Sequence, residues 1–350
     1  MKDNTLLIGA SLAIVATVAF GCGDKQHHSG SELVNLGLTG SAYVVQPFFT
    51  VSRTTILYAA IDEASGFPST TWRIVDLRSQ RQRSLSNKFP GVIYCALSPD
   101  GDFGVMEEAE KGLLVLNIGK MQATTIAGES TSAIWVGNKI MLVFYASGGK
   151  APLGLKVSSL ETLDPRGGVR EKWKACGLPL VADREGHIVL MSVNPNSLYD
   201  PFDVGRSGAP IMCFNKHGHP IKDLGPFDGV IGIPAISPLG KWIALARLSS
   251  KGGNSILLVN VSKRTSVEIE SAALPVAVTD DGTIVAMEPT SGDRAAPMAI
   301  RTIKAKMVRT ISPGAYAAGI SDERLYYVTG RGTSARLNSV ALQAIEKGGV

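Results

Sequence analysis

Apolar and polar positions follow one recurring order along this chain. A short apolar run leads into a polar turn that often contains glycine or a Ser-Pro pair, and a second apolar run follows at once. The clearest copies are Ala96–Met106 (ALSPDGDFGVM) and Ala235–Ala246 (AISPLGKWIALA). The pattern occurs seven times at a period of roughly 40–50 residues, which is typical of repeat folds such as propellers and solenoids.

The polar turns predict β-hairpins that join the first strand of each repeat to its second. Asp-Gly and Gly-Asn between apolar runs favour tight turns, because a central residue of such turns needs a positive φ. The predicted turns lie at Arg53-Thr54, Asp100-Gly101, Gly137-Asn138, Glu185-Gly186, Leu239-Gly240, Asp281-Gly282 and Asp322-Glu323.

Further strands complete each repeat. A third strand carries Asp or Asn near its end, as in Ile74–Leu77 and Leu257–Asn260, and alternating runs such as Ser266–Glu270 indicate a fourth. Four short antiparallel strands per repeat predict an all-β, seven-bladed β-propeller, with six blades as the alternative. A β-sandwich would not explain the repeated order of turn types.

The two ends of the repeat region predict how the ring closes. The last repeat has a third strand at Leu337–Leu342, and only Gln343–Val350 follow it. Residues 32–39 (ELVNLGLT) form a strand-like run that belongs to no repeat. We therefore expect residues 32–39 to supply the outer strand of the last blade, which would remove an exposed and aggregation-prone edge.

The pattern resembles the WD40-like (TolB-type) propeller repeat of the Tol-system periplasmic protein, whose signature is an apolar strand, Ser-Pro-Asp-Gly and another apolar strand. The resemblance covers nearly the whole mature chain. Ser98–Gly101 matches in full, whereas Ser237–Gly240 lacks the Asp. That family usually has six blades and a separate N-terminal domain, for which this chain has no room, so its partner binding is not carried over.

The N-terminus predicts export. Lys2 precedes an apolar stretch, Leu6–Phe20, that is shorter than the about 20 residues needed to span a membrane, so residues 1–21 are interpreted as a signal peptide. The sequence Ala19-Phe-Gly-Cys22 resembles the bacterial lipoprotein cleavage box, which implies lipid attachment at Cys22. Secretion after cleavage at Gly21, without lipid, is the alternative.

These boundaries leave residues 22–31 as a polar tether and residues 32–350 as the propeller domain. We expect a lipid-anchored protein of the cell membrane or the outer membrane, facing the periplasm or the cell surface. Two anchoring acyl chains or more hold a protein stably to a membrane, whereas one does so weakly.

Composition adds little to this picture. The 350 residues are 45% hydrophobic and 19% charged, and the formal charge of +5 favours no particular polyanionic partner. Beyond Cys22, Cys95 lies in an apolar run and is interpreted as a small buried hydrophobe. Cys176 and Cys213 fall in one repeat, and whether they pair is left open.

The predicted channel strands carry no obvious chemistry. They contain no Glu, His, Asp or Asn, so a metal or cofactor in the channel is not expected, and the sequence has no Gly-x-Ser-x-Gly nucleophile motif. His217 and His219 form a close pair in a turn, where polar residues are common. No catalytic residue and no metal ligand are assigned.

Two other features bear on recognition. A basic cluster in the first blade is interpreted as a solvated edge, with contact to anionic envelope polymers as the alternative. Its members are Arg73, Arg78, Arg81, Arg83 and Lys88. Aromatic residues are not interleaved with them, so nucleic acid is not expected as a partner.

The best candidate for ligand or partner binding is residues 193–208, a connection longer than most ordinary loops. It mixes aromatic and charged side chains, which suit contact with a partner: Tyr199, Asp200, Phe202, Asp203 and Arg206. The stretch Arg166–Lys174 is expected on the same face.

We therefore predict a monomeric, membrane-anchored propeller without enzymatic activity that binds an envelope protein or polymer. The alternative is a hydrolase or lyase acting through loops at the channel mouth, around Asp200 and Asp203.

Overall fold

The computed structural model describes residues 31–61, 68–85, 89, 91–108, 112–127, 131–147, 155–166, 168, 170–174, 177–192, 210–248, 254–290, 296–304, 307–321 and 323–343. Within these ranges, 27 β-strands form seven sheets and a short 3₁₀ turn spans Gly332–Ser334. No helix in the same ranges has the length and apolar character to cross a membrane.

The first strand along the chain, β1 (Ser31–Asn35), belongs to the last blade. Blade 1 consists of β2 (Tyr43–Val51), β3 (Thr55–Ile61), β4 (Pro68–Asp76) and β5 (Gln82–Ser84). Blade 2 consists of β6 (Val92–Leu97), β7 (Phe103–Glu108), β8 (Gly112–Asn117) and β9 (Gln122–Ala127). Blade 3 consists of β10 (Thr131–Val136), β11 (Lys139–Ser147), β12 (Leu155–Leu163) and β13 (Arg170–Lys172).

Blade 4 has three strands in the described residues, β14 (Leu178–Ala182), β15 (Ile188–Ser192) and β16 (Ile211–Asn215). Blade 5 consists of β17 (Val230–Ile236), β18 (Trp242–Leu248), β19 (Asn254–Asn260) and β20 (Thr265–Glu270). Blade 6 consists of β21 (Leu274–Val278), β22 (Ile284–Pro289), β23 (Met298–Lys304) and β24 (Met307–Ala315). Blade 7 combines β25 (Ala317–Ser321), β26 (Arg324–Thr329) and β27 (Arg336–Ala341) with β1.

The seven sheets form a closed ring. The first strand of every blade contacts the first strand of the next, and β25 of blade 7 contacts β2 of blade 1. All seven predicted turns fall between the first and second strands of a blade. The prediction of an all-β, seven-bladed propeller is therefore confirmed, and the alternative of six blades is wrong.

The predicted closure is confirmed as well. Strand β1 pairs antiparallel with β27, so that Ser31 lies opposite Ser339 and Asn35 lies opposite Arg336. The strand ends at Asn35, so it is shorter than the predicted residues 32–39. The chain beyond it still packs inward, since Leu36 and Leu38 are only 1% and 3% exposed.

Hydrogen bonds explain why the first turns favour a hydroxyl residue. The Oγ of Ser98 accepts a hydrogen bond from the N–H of Phe103 (3.0 Å) and donates one to Oδ1 of Asp100 (2.6 Å). Gly101 then occupies a positive φ of 81°, which a residue with a Cβ adopts at a cost. The Oγ of Ser237 plays the same part for the N–H of Trp242 (3.0 Å).

Blade 4 departs from the prediction of four strands per repeat. Its outer position holds two isolated bridges, Ile211 with Phe227 and Phe214 with Pro220. Proline cannot donate a hydrogen bond to a sheet, and Pro220 and Pro226 both lie in this segment. The prolines therefore limit the segment to short contacts instead of a regular strand.

The hydrophobic core lies between neighbouring blades. One cluster joins Leu57 and Trp72 of blade 1 to Cys95 and Met106 of blade 2. Each adjacent pair of blades shares a cluster of this kind, so the ring has seven core layers within the described residues. Burial of Cys95 confirms its prediction as a small buried hydrophobe.

Candidate functional site

The residues predicted to bind a partner lie outside the described residues. Tyr199, Asp200, Phe202, Asp203 and Arg206 fall between Ser192, the end of β15, and Pro210, which precedes β16. Cys22, the predicted lipid attachment site, also lies outside them. These assignments stay predictions.

The strand order defines two faces of the propeller. At the mouth face, first strands begin and second strands end; at the turn face, the first-to-second turns and the third-to-fourth links are found. The connection between β15 and β16 starts and ends at the mouth face. Two groups of described side chains with distinctive chemistry lie at this same face.

The first group is a stack of one arginine and two tyrosines where blade 7 meets blade 1. The Arg331 guanidinium carbon lies 4.7 Å from the ring centroid of Tyr43 and 5.1 Å from that of Tyr316. Nε of Arg331 also donates a hydrogen bond to the Tyr316 hydroxyl (2.8 Å). Cation–π contacts and this hydrogen bond hold the guanidinium in a fixed position at the mouth face.

The second group centres on a half-buried carboxyl group. Glu107, near the end of β7, lies opposite Tyr94 of β6 in the blade 2 sheet. Burial raises the pKa of Glu107 to about 7. A carboxyl group whose pKa is raised toward neutrality suits a general acid or base.

Two further hydroxyls lie near this carboxyl group. Burial is the main cause that raises the pKa of Tyr94, and the charge of Glu107 contributes to the rise. Burial likewise raises the pKa of Tyr145 to about 12, with a contribution from Glu107. The Tyr145 hydroxyl is 2.7 Å from Oγ of Ser132 and hydrogen-bonded to it. Electrostatic coupling thus links Glu107 to both tyrosines.

Among the described residues, no group of three or more His, Cys, Asp or Glu side chains could hold a metal ion. His217 and His219 follow the third strand of blade 4, and their backbone N–H groups both donate to Oδ1 of Asn215. Cys213 is a free and fully buried thiol whose pKa burial raises to about 12, whereas Cys176 lies outside the described residues.

The basic cluster of blade 1 is divided by the fold. Arg78, Arg81 and Arg83 are exposed on β5 and the turn before it, and Lys88 lies outside the described residues. Arg73 is half-buried instead, and its Nη1 donates to the carbonyl of Leu36 (2.6 Å). Arg73 therefore does not belong to the solvated edge that the sequence predicts.

Arg166 is also placed differently from the expectation. It follows β12 at the turn face, where Nη2 contacts Oδ2 of Asp100 (2.6 Å) and Oδ2 of Asp102 (3.1 Å). Arg166 thus joins blade 3 to the first turn of blade 2. It does not share the mouth face with the connection between β15 and β16.

No protein-family model matches the chain, and no curated protein matches its sequence. Solved structures match it by fold. The β-propeller domain of the trilobed protease from Pyrococcus furiosus has a TM-score of 0.58 at 13% identity, over 87% of this chain and 96% of that one. The oligogalacturonate lyase of Vibrio parahaemolyticus has a TM-score of 0.57 at 13% identity, over 88% and 92%.

An acylaminoacyl peptidase from Pyrococcus horikoshii matches with a TM-score of 0.55 at 15% identity, over 86% of this chain and 52% of that one. At these identities the likeness concerns the fold alone. The chain is thus similar to β-propeller proteins that include lyase and peptidase propellers.

Proposed function

We propose that this protein is an exported, lipid-anchored propeller that binds an envelope protein or polymer at its mouth face. The observation that carries the proposal is the cluster in which Arg331 packs over the adjoining rings of Tyr43 and Tyr316. Arginine and tyrosine are the residue types that most often dominate binding energy at interfaces, and a pre-positioned side chain loses little entropy on binding.

The place of the predicted contact residues in the chain is a second support for the binding proposal. The predicted contact residues Tyr199–Arg206 belong to a connection that begins and ends at the same face. A partner at the channel mouth would then meet aromatic and charged groups from blades 1, 4 and 7. The resemblance of the repeats to the TolB-type family agrees with a place in the envelope.

Affinity capture from envelope extracts tests the binding proposal. The wild-type protein and the variants Arg331→Ala and Arg264→Ala are compared as baits. Arg264 is a matched control, because it is an exposed arginine at the turn face, paired with Asp223 at 2.6 Å. We expect the captured partner to be lost with Arg331→Ala and kept with Arg264→Ala; equal capture by both variants contradicts the proposal.

The anchor has its own test. Mass spectrometry of the membrane fraction should find Cys22 as an acylated N-terminal residue, and Cys22→Ala should move the protein to the soluble fraction. A mature protein that starts at Cys22 or Gly23 without lipid would contradict the anchor and leave the binding proposal intact.

A second candidate function is a hydrolase or lyase at the mouth face, and Glu107 favours it. A carboxyl group with a pKa of about 7 can take up a proton from a substrate and release it again. The similarity in fold to oligogalacturonate lyase suggests acidic oligosaccharides as the first substrates to assay. Activity that Glu107→Gln abolishes and Glu288→Gln retains would establish this function; no turnover of oligogalacturonate by the wild-type protein would exclude that substrate.

A further inference from the structure

Strand β1 fixes the point at which the N-terminal part of the chain enters the propeller. First strands run from the mouth face to the turn face, and each strand is antiparallel to its neighbours, so β27 also runs toward the turn face. Strand β1 pairs antiparallel with β27 on the outside, and its first residue, Ser31, lies opposite Ser339. The chain therefore enters the fold at the turn face, on the outer rim of blade 7.

Blade 1, a neighbour of blade 7, carries a basic turn at the same face. The link between β4 and β5 exposes Arg78 and Arg81, and Arg83 is exposed on β5. Asp76 is the acidic residue of this turn. The hydrogen bond from the Ser79 N–H is the main cause that lowers the pKa of Asp76, and the charge of Arg83 contributes. Three positive charges thus stand against one negative charge.

The basic turn lies beside the start of β1. Leu77, which precedes Arg78 in this turn, packs against the same hydrophobic cluster as Leu33 and Val34 of β1. The positive charges of blade 1 therefore flank the point at which the chain enters the fold.

Blade 6, the other neighbour of blade 7, exposes apolar side chains at the same face. Strand β23 ends at Lys304 and β24 begins at Met307, so the link between them lies at the turn face. Met307 and Val308 are 57% and 52% exposed, and they are two of the five large apolar side chains that the described residues leave most exposed. Lys304 is paired with Asp281 (2.7 Å), so this pair adds no net charge.

Positive charge beside exposed apolar side chains suits an anionic lipid bilayer. A basic side chain near such a surface strengthens binding about fivefold, and apolar side chains enter the headgroup region. The proposed anchor points to the same surface. Cys22 and Ser31 are nine residues apart, so Ser31 lies within about 30 Å of a lipid on Cys22. A soluble anionic polymer would suit the arginines and would leave Met307 and Val308 without a role.

We propose that the turn face of blades 6, 7 and 1 rests on an anionic lipid bilayer, which Arg78, Arg81, Met307 and Val308 contact. The orientation rests on the lipid anchor proposed above, whereas the contact itself does not. The mouth face then points away from the bilayer, toward a partner. The contact is weak by itself because few charges take part, and a lipid on Cys22 makes it persistent by raising the local concentration.

Vesicle sedimentation of the mature chain with Cys22→Ser tests the contact without the anchor. The vesicles contain phosphatidylglycerol and phosphatidylcholine in equal parts, or phosphatidylcholine alone, at low ionic strength. We expect at least tenfold stronger binding to the anionic vesicles, and release by added salt. Equal binding to both vesicles, or binding to neither, would overturn the proposal. Absence of lipid on Cys22 in the cell would leave this result unchanged, so the failure of the anchor and the failure of the contact are distinguishable.

Variants locate the contact. Arg78→Gln/Arg81→Gln should weaken binding to anionic vesicles at least tenfold. The matched control is Lys216→Gln/Lys222→Gln, which removes the same charge from exposed positions of blade 4, three blades away from both blade 7 and blade 1, and should weaken binding less than threefold. Met307→Gln should weaken binding about threefold, because its side chain no longer enters the lipid. Equal losses in the two double variants, or unchanged binding by Met307→Gln, would overturn the proposal.

A soluble anionic polymer is the competing partner for the basic turn. Alginate is therefore compared with anionic vesicles at equal concentrations of negative charge. We expect alginate to bind at least tenfold more weakly. If alginate binds as strongly as the vesicles, and Arg78→Gln/Arg81→Gln removes that binding, the basic turn serves a polymer and the proposal is overturned.

Discussion

The link that follows the closing strand should stabilise the whole ring by its burial, and the variant Leu36→Ala/Leu38→Ala tests this. Both leucines are nearly fully buried, in a cluster that joins the N-terminal link to blades 1 and 7. Replacing a buried leucine by alanine costs about 3 kcal/mol in a typical core. The two sites share neighbours, so their effects are not strictly additive, and we expect a combined loss of about 4–6 kcal/mol.

This loss is large compared with the about 5–15 kcal/mol that stabilises a typical domain. Urea unfolding followed by tryptophan fluorescence measures it. With a slope of about 3 kcal/mol per molar urea, the midpoint should fall by about 1.3–2 M. Deleting residues 31–40 should lower it further, because the deletion also leaves the edge of β27 unpaired.

Leu239→Ala is the matched control for this experiment. Leu239 is 50% exposed in a first-to-second turn, so its truncation should change the free energy of unfolding by less than about 0.5 kcal/mol. If the double variant unfolds at the same urea concentration as this control, burial of the link that follows β1 contributes nothing to stability. The reasoning from burial would then be refuted.

Two further predictions concern carboxyl groups whose pKa is raised by the removal of water, so that the folded protein loses stability as pH rises through the folded-state pKa. Glu107→Gln should stabilise the protein at pH 8 by roughly 1–3 kcal/mol and have little effect at pH 4, measured by urea unfolding at both pH values; an equal effect at both would contradict the raised pKa. Asp183 is 2% exposed with Oδ2 unpaired, and burial raises its pKa. Asp183→Asn should raise the melting temperature at pH 7 more than at pH 4, and a gain independent of pH would contradict this.

The fold could be predicted because its signals are local. A hairpin needs a residue at positive φ, and glycine supplies it at positions such as Gly101 and Gly240. Because the turn pattern recurs seven times, a signal that is weak in one repeat becomes strong over the whole chain. The outer strand of blade 4 was not predictable in the same way, because Pro220 and Pro226 remove donors that the pattern of apolar residues does not report.

The candidate sites could be predicted far less well, since burial and long-range contact create them. Glu107 follows an apolar run and looks like an ordinary strand end, and its pKa rises because the fold removes water from it. Arg73 looks like a member of a basic edge, yet it bonds to Leu36, 37 residues earlier in the chain. That contact exists only after the ring has closed.

The repeats themselves show that the polar pair Tyr58 and Arg73 of blade 1 is not a requirement of the fold. In blades 1, 2 and 5, the serine hydroxyl of the first turn accepts a hydrogen bond from the backbone N–H of Thr55, Phe103 and Trp242, respectively. The third residue after each of these is Tyr58 in blade 1, Met106 in blade 2 and Leu245 in blade 5, so these three positions correspond. Their partners on the third strand are Arg73, Leu114 and Leu257. Blades 2 and 5 thus fill these positions with apolar pairs, which satisfy packing without any hydrogen bond. Blade 1 instead sets the buried Tyr58 hydroxyl against the half-buried Arg73, whose charge and hydrogen bond offset the burial of the tyrosine. The apolar periodicity of the repeats does not predict such a pair, because packing alone would be satisfied by the apolar residues that blades 2 and 5 use.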